Sequence, residues 1–300
     1  GDVIERLKDI EDNTIQCVVT SPPYWGLRDY GEDNQLGLEE TPEEYVENMV
    51  NVFREVRRVL KDDGTLWLNL GDTYSAQRWT KKGMDRTEAQ PMNNMRDDWR
   101  AIAPTKKSGL PDKNLVGIPW RVAFALQQDG WYLRQDIIWH KPNPMPESVS
   151  DRCTKSHEYI FLLTKSANYY YDAESIKEKT LTYDNTNRDR ETTRLNNTPG
   201  RTRMEGLKTN NYEKRNKRSV WKINTKPYKE AHFAVFPEKL PELCIKAGSK
   251  KGDIVLDPFF GSGTTGYVAQ RLYRKWLGIE LNPEYIKIAN KRFVQQELFV

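Results

Sequence analysis

Two short segments carry side chains suited to chemistry. Ser21-Pro22-Pro23-Tyr24 offers, within four residues, a hydroxyl, a proline carbonyl with no competing N–H on the ring side, and an aromatic face. Ser21 and Pro22 can accept both protons of an aromatic amine and hold its nitrogen toward sp3 geometry, freeing a lone pair otherwise delocalised into the ring. A nitrogen so held can attack a methyl sulfonium in line. It can lose its proton after transfer, so the site needs orientation more than a general base. Tyr24, with Trp25 behind it, gives an extruded base a surface to stack on, at roughly 1 to 3 kcal/mol per base. Taken alone, Ser-Pro-Pro-Tyr reads more often as a proline turn with an aromatic plug; its place at the end of a buried strand, in the same chain as the glycine segment at 257–266, favours the chemical reading.

The second segment, Gly261-Ser262-Gly263-Thr264-Thr265-Gly266, has the spacing of a loop that lets backbone approach a nucleotide-bearing ligand. Glu280 follows, roughly 20 residues on, where a carboxylate accepts hydrogen bonds from ribose hydroxyls. Geometry of this kind also suits a nicotinamide cofactor, or glycines that serve only a tight turn. Asp257-Pro258-Phe259-Phe260 runs straight into the glycines, and an acid at that point can meet the cationic end of an amino-acid cofactor.

These tips need rigid supports. The apolar run at 15–20 predicts a strand buried on both faces, ended by two prolines that cannot continue a ladder. Thr41, Pro42 and Glu44 supply a cap ahead of Tyr45, Met49, Val52, Phe53, Val56 and Leu60, predicting a helix over 42–60 that Gly64 stops. Further strands are expected at 65–70, 131–139, 158–164, 253–257 and 275–281, and helices at 3–10, 119–126, 237–247 and 264–274. The alternation predicts an α/β fold with a doubly wound, mostly parallel sheet, whose ligands collect at the C-terminal ends of the strands. Both special loops fall there.

Charge is unevenly spread. The 300 residues carry a net +4, yet 180–222 holds 11 Lys or Arg against 5 Asp or Glu, and 75–113 holds 9 against 5. The remainder is acidic, the layout of a catalytic body with basic arms for a polyanion. Residues 172–220 lose periodicity and read as a loop-rich insertion, in which Arg188, Arg190, Arg194, Arg201, Arg203, Lys214, Arg215, Lys217 and Arg218 can reach phosphates. A solvated loop without a partner is the plainer alternative. Lys141 and Pro142 follow a strand, where they either line a base pocket or simply end it. Cys17, Cys153 and Cys244 are too far apart to suggest a disulfide framework or a metal site. No window is apolar enough to span a membrane and no signal peptide opens the chain, so a soluble, cytoplasmic protein is expected.

TSPPYW at 20–25 and LDPFFGSGTT at 256–265 resemble the catalytic and cofactor motifs of the β group of bacterial and phage DNA amino-methyltransferases. The similarity extends to GTLWLNLGD at 64–72, IIWHKPNPMP at 137–146 and HFAVFPEKL at 232–240. It implies a seven-stranded Rossmann-like methyltransferase sheet with a loop-rich basic insertion. Residues 1–171 would form the catalytic part, with a polar insertion at 75–113; 172–222 would recognise the target, and 223–300 would bind the cofactor. The implied cofactor is S-adenosyl-L-methionine, with Asp257, Pro258, Phe259, Gly261, Gly263 and Thr264 around its methionine part and Phe233, Pro237 and Glu238 closing that side. Glu280 would take the ribose and Asp2 the adenine. The implied substrate is double-stranded DNA, methylated site-specifically on the exocyclic amine of a flipped base. In that family Ser before the two prolines accompanies cytosine N4, and Asp or Asn accompanies adenine N6. A cognate restriction endonuclease and a monomer or homodimer fit the same resemblance. A nicotinamide oxidoreductase and a non-catalytic DNA-binding module are the alternatives from other classes.

Overall fold

The computed structural model describes residues 1–27, 32, 35–75, 108–179, 214–225 and 236–297, with side chains through 293. They form two compact units, Gly1–Tyr171 with Ser219–Val300, and Asp172–Arg218.

The larger unit opens with a short helix, α1 (Val3–Lys8), and a strand, β1 (Ile15–Thr20), in which every residue is buried. Helix α2 (Pro42–Val59) starts in the expected capping box, where Thr41 Oγ1 accepts from the Glu44 amide at 3.2 Å and Glu44 accepts in return from the Thr41 amide. Its buried face is Tyr45, Met49, Val52, Phe53, Val56 and Val59. There follow β2 (Leu60–Leu70), α3 (Ile118–Gln128), β3 (Tyr132–His140) and β4 (His157–Thr164). In the second unit the described elements are a 3-10 turn (Glu174–Ile176) and a two-stranded ribbon, β5 (Glu178–Lys179) and β6 (Lys214–Arg215). The chain then returns to the larger unit through β7 (Val220–Lys222), α4 (Lys239–Gly248), β8 (Ile254–Asp257), α5 (Thr264–Arg271), β9 (Lys275–Gly278) and α6 (Pro283–Glu297).

Seven strands make one sheet in the order β7-β3-β4-β2-β1-β8-β9. Only β4 runs against its neighbours β2 and β3; the other pairings are parallel, so the sheet is mostly parallel as expected. β1 lies inside it, with Cys17 and Val18 opposite Val255 and Leu256 of β8 and Val19 and Thr20 opposite Trp67 and Leu68 of β2. This is why β1 is apolar on both faces. It also sets the C-terminal tips of β1 and β8 side by side. Because β4 is antiparallel, its first residues reach the same edge, with Tyr159 opposite Leu70.

Three expectations are corrected. Helix α2 ends at Val59 rather than running on to a stop at Gly64, because Leu60 adopts an extended conformation and pairs with Ile15. Gly64 is a residue of β2 instead, where an added Cβ would strike Leu60 Cδ1 at 2.7 Å. Residues 220–222, read as the end of the insertion, are the edge strand beside β3, with Trp221 buried. α6 was not anticipated at all.

Candidate functional site

The two chemically suited segments meet. Thr20, the last residue of β1, donates its hydroxyl to Asp257 Oδ1 at 2.7 Å; Asp257 is the last residue of β8. Thr265 of α5 donates to Asp257 Oδ2 at 2.7 Å, and the Phe259 amide to Oδ1 at 3.1 Å. Ser-Pro-Pro-Tyr therefore begins one covalent bond from a residue tied to the glycine loop. Asp257 itself was expected to face a cofactor's cationic end. At 2 % exposure, with both oxygens engaged internally, it serves as the knot between the two tips.

Burial pushes the Asp257 carboxyl up from 3.8 to about 7, against the opposing pull of the Thr20 and Thr265 hydroxyls. A carboxyl raised on folding adds stability that is complete below its unfolded value and is lost as pH rises through the folded one. Urea unfolding of the protein is therefore expected to show a decline, relative to Asp257→Asn, of roughly 3 kcal/mol between pH 5 and pH 8. Equal pH slopes in the two proteins would show that Asp257 titrates as an ordinary acid.

The glycine loop is built for close approach. Gly261 and Gly263 take φ of 51° and 78°, in the left-handed region that disfavours side chains, and Gly263 is the N-cap of α5 without a side-chain cap. The Gly261 amide donates to Glu280 Oε2 at 2.7 Å and the Asn282 amide to Oε1 at 2.9 Å. Each Glu280 oxygen keeps a lone pair for a further donor. Burial raises its carboxyl as well. Ser262 Oγ is buried and has no hydrogen-bond partner among the described residues, a polar atom in the middle of the loop. Such a group is satisfied when a polar ligand arrives, so these residues fit a cofactor with carboxylate, amine and hydroxyl groups.

Sequence reading missed Arg292 on α6, which donates to the Ser262 carbonyl at 3.1 Å and to Thr264 Oγ1 at 2.9 Å, clasping the loop from the far side. Glu238 pairs with Arg271 at 2.9 Å and Arg292 at 3.7 Å, and Pro237 beside it is buried. Pro258 is buried and Phe259 half-buried. Asp2 caps α1, accepting from the Glu5 amide at 3.0 Å, while the neighbouring Gly1 amine donates to the Glu280 carbonyl. Phe233 lies outside the described residues.

On the other tip, Pro22 is buried and Ser21, Pro23 and Tyr24 are half-buried. Tyr45 of α2, wholly buried, donates its hydroxyl to the Pro23 carbonyl at 2.8 Å and so fixes the turn. The Pro22 carbonyl has no hydrogen-bond partner among the described residues. Tyr24 packs against Gly71, whose added Cβ would lie 2.5 Å from Tyr24 Cε2. Its hydroxyl receives Ser21 Oγ at 3.2 Å and faces Glu158 Oε2 at 2.9 Å and Asn69 Oδ1 at 3.2 Å. Burial first, and the Glu158 carboxylate second, push the Tyr24 phenol well above its ordinary value, so it stays protonated. Glu158 also accepts from Asn69 Nδ2 and from Lys141, whose ammonium lies 4.4 Å from the Trp139 ring centroid. Asn69 and Glu158 were not singled out in the sequence; each reads as an ordinary strand position.

Trp25 does not offer a stacking face. It is 3 % exposed, and its Nε1 donates to the Glu39 carbonyl at 3.0 Å. Lys141 is turned inward onto Glu158, while Pro142 is exposed. In the second unit Arg215, Lys217 and Arg218 converge on one carboxylate, Glu178, at 3.0, 3.2 and 2.6 Å, which leaves that cluster cationic. Arg188, Arg190, Arg194, Arg201 and Arg203 lie outside the described residues. Among the described residues no group of acidic, His and Cys side chains could hold a metal ion, and no helix is long and apolar enough to cross a membrane.

Comparison with known proteins bears directly on this arrangement. The chain is 48% identical over 298 residues to the Type II methyltransferase M.SmaI of Serratia marcescens, covering 99% of this chain and 90% of that one. It is 48% identical over 292 residues to M.Cfr9I of Citrobacter freundii, covering 97% and 85%. Among solved structures, the PvuII DNA methyltransferase (cytosine-N4-specific) superposes with a TM-score of 0.64 at 22% identity, covering 98% of this chain and 84% of that one. TTHA0409 of Thermus thermophilus, complexed with S-adenosyl-L-methionine, gives 0.60 at 25% identity, covering 99% and 92%. The N6/N4 methyltransferase family, described as DNA methylase, matches residues 15–291. With that match over nearly its whole length, the chain belongs to the DNA methylase family.

Proposed function

We propose that the protein transfers a methyl group from S-adenosyl-L-methionine to cytosine N4 of a flipped base at specific sites in double-stranded DNA. The observation that carries this reading is the 2.7 Å bond from Thr20 to Asp257, which sets the amine-binding tip against the glycine tip. Gly261, Ser262, Gly263 and Thr264 would hold the methionine part of the cofactor, with Asp257, Pro258, Phe259, Pro237 and Glu238 shaping the wall behind them. Glu280 would accept from the ribose hydroxyls and Asp2 would meet the adenine. When bound, the cofactor supplies an electrophilic methyl on a sulfonium.

The chain's own residues orient the nitrogen. Ser21 Oγ and the Pro22 carbonyl accept the two amine protons, and the lone pair is left facing the methyl group. Pro23, clamped by Tyr45, fixes the direction of that carbonyl. Tyr24 stacks on the base. Extruding a base costs a few kcal/mol, which phosphate contacts elsewhere must offset. Arg188, Arg190, Arg201 and Arg203, with the cationic cluster of Arg215, Lys217 and Arg218, are the candidates. A cognate restriction endonuclease is the natural counterpart, supported by the Type II names of the relatives.

Serine before the two prolines favours cytosine N4 over adenine N6. Incubation with mixed-sequence DNA and methyl-labelled S-adenosyl-L-methionine, followed by nucleoside mass spectrometry, is expected to give N4-methylcytosine. N6-methyladenine instead would move the reading to adenine, and an absence of label in any DNA would end it.

A further inference from the structure

A hydroxyl has one hydrogen, and the direction of that hydrogen decides whether Ser21 helps or hinders. To accept an amine N–H, Ser21 Oγ must spend its own proton elsewhere. The structure supplies a place for it: Ser21 Oγ lies 3.2 Å from the Tyr24 hydroxyl, which can accept only if its own hydrogen points away. Tyr24 faces two acceptors, Glu158 Oε2 at 2.9 Å and Asn69 Oδ1 at 3.2 Å. Asn69 is held in that sense because its Nδ2 is taken by the Tyr159 carbonyl at 3.0 Å and by Glu158 at 3.1 Å. A carboxylate accepts and never donates, and Glu158 Oε1 is itself fixed by the Lys141 ammonium, with 15% and 19% of the two side chains exposed.

We propose that Glu158 is a positioning residue that sets the polarity of a relay running Lys141, Glu158, Tyr24, Ser21, target amine. Every link donates toward the carboxylate, and the end left over is a serine oxygen with its lone pairs turned to the base. The inference rests on the amine-transfer reading above and adds to it the reason Ser21 acts as an acceptor. It assigns work to the Tyr24 hydroxyl, which stacking alone would not use.

Glu158→Gln tests it, because the amide cannot settle either way. Lys141 can only donate, so the glutamine carbonyl must turn to it, and the amide NH2 must then face Tyr24. The tyrosine hydrogen is left with two neutral acceptors, Asn69 Oδ1 and Ser21 Oγ, each at 3.2 Å, so the relay loses its single polarity; whenever that hydrogen points to Ser21, the serine hydrogen meets the amine, donor against donor. Loss of the charged hydrogen bond that fixed this polarity is expected to lower kcat about 5- to 10-fold, with KM for DNA and cofactor affinity within about twofold. Tyr24→Phe keeps the ring and frees Ser21 to rotate, so it should fall less. The decisive variant is Tyr24→Phe combined with Glu158→Gln. With the tyrosine hydroxyl gone, the inverted amide has nothing to transmit, and kcat is expected to recover to the Tyr24→Phe level.

A double variant as slow as Glu158→Gln, or slower, would overturn the relay, as would Glu158→Gln turning over at the wild-type rate. A merely structural role for Glu158 cannot produce recovery on adding a second change. Failure of the underlying reading looks different: the unaltered protein would then transfer no methyl group to DNA.

Discussion

Replacing Tyr24 by alanine is expected to abolish most turnover while leaving S-adenosyl-L-methionine binding intact. Stacking of a base on an aromatic side chain is worth roughly 1 to 3 kcal/mol, or about 5- to 150-fold in rate if it is realised in the transition state. The substitution also removes the hydroxyl that receives Ser21 Oγ, so the total loss should reach the order of 100-fold or more. Cofactor binding should survive because Tyr24 bonds toward β2 and β4, through Asn69 and Glu158, whereas the glycine loop is tied to β1 through Thr20 and Asp257. Single-turnover methylation and calorimetric titration of the cofactor measure the two quantities separately. If affinity for the cofactor fell in step with the rate, Tyr24 would belong to the cofactor pocket and the base pocket would have been put in the wrong place.

The same division explains what could be read before the fold was known. Chemistry written in one loop was legible: Ser21, Pro22 and Tyr24 lie within four residues, and the carboxylate of Glu280 stands at the spacing from the glycines that a strand-loop-helix unit imposes. Capping signals made α2 legible at its start, where Thr41, Pro42 and Glu44 act locally. Its end was not legible, because what stops it is the pairing of Leu60 with Ile15, a contact between segments 45 residues apart. Glu158 and Asn69 escaped for a related reason. Each sits in an apolar strand, and only the antiparallel register, Asn69 opposite Ile160 and Leu70 opposite Tyr159, brings them under Tyr24.

β7 was missed because three residues flanked by charge carry no period, although buried Trp221, with its ring 6.3 Å from that of Trp67, is the kind of residue that marks a sheet. α6 did leave a signal. Asn282 accepts from the Glu284 amide at 2.8 Å and Pro283 follows it, the signature of a helix start. Reading it would have brought Arg292 into consideration, and with it the clasp on Ser262 and Thr264.

Gly278→Ala should produce the opposite pattern to Tyr24→Ala: cofactor binding fails first. Gly278 ends β9, and a Cβ there would fall on the ring of Phe260, with Cδ1 2.7 Å away and Cγ and Cδ2 nearer still. The ring cannot slide aside. It is stacked on Trp276 at 5.2 Å and parallel to Phe293 at 6.3 Å, and on the α5 side a Cβ on Gly266 would already be 2.6 Å from its Cζ. Overpacking of this kind typically costs about 1 to 3 kcal/mol in stability. The functional loss is expected to exceed that figure, because the Phe260 backbone is the hinge of the glycine loop, its amide donating to the Ile279 carbonyl at 2.8 Å and its carbonyl receiving the Gly263 amide at 2.9 Å. Because the ring cannot move alone, the Phe260 backbone must shift with it, which pulls Gly261 away from Glu280 and distorts the left-handed turn at Gly263. The expected result is a drop of at least about 10-fold in cofactor affinity, which corresponds to roughly 1.4 kcal/mol. The variant should still fold, with its urea midpoint lowered. Adding Phe260→Leu, which makes room beside the new methyl, should restore part of the affinity. Undiminished cofactor binding by Gly278→Ala would mean that the aromatic stack does not support the loop, and the close approach of β9 to Phe260 would have no functional consequence.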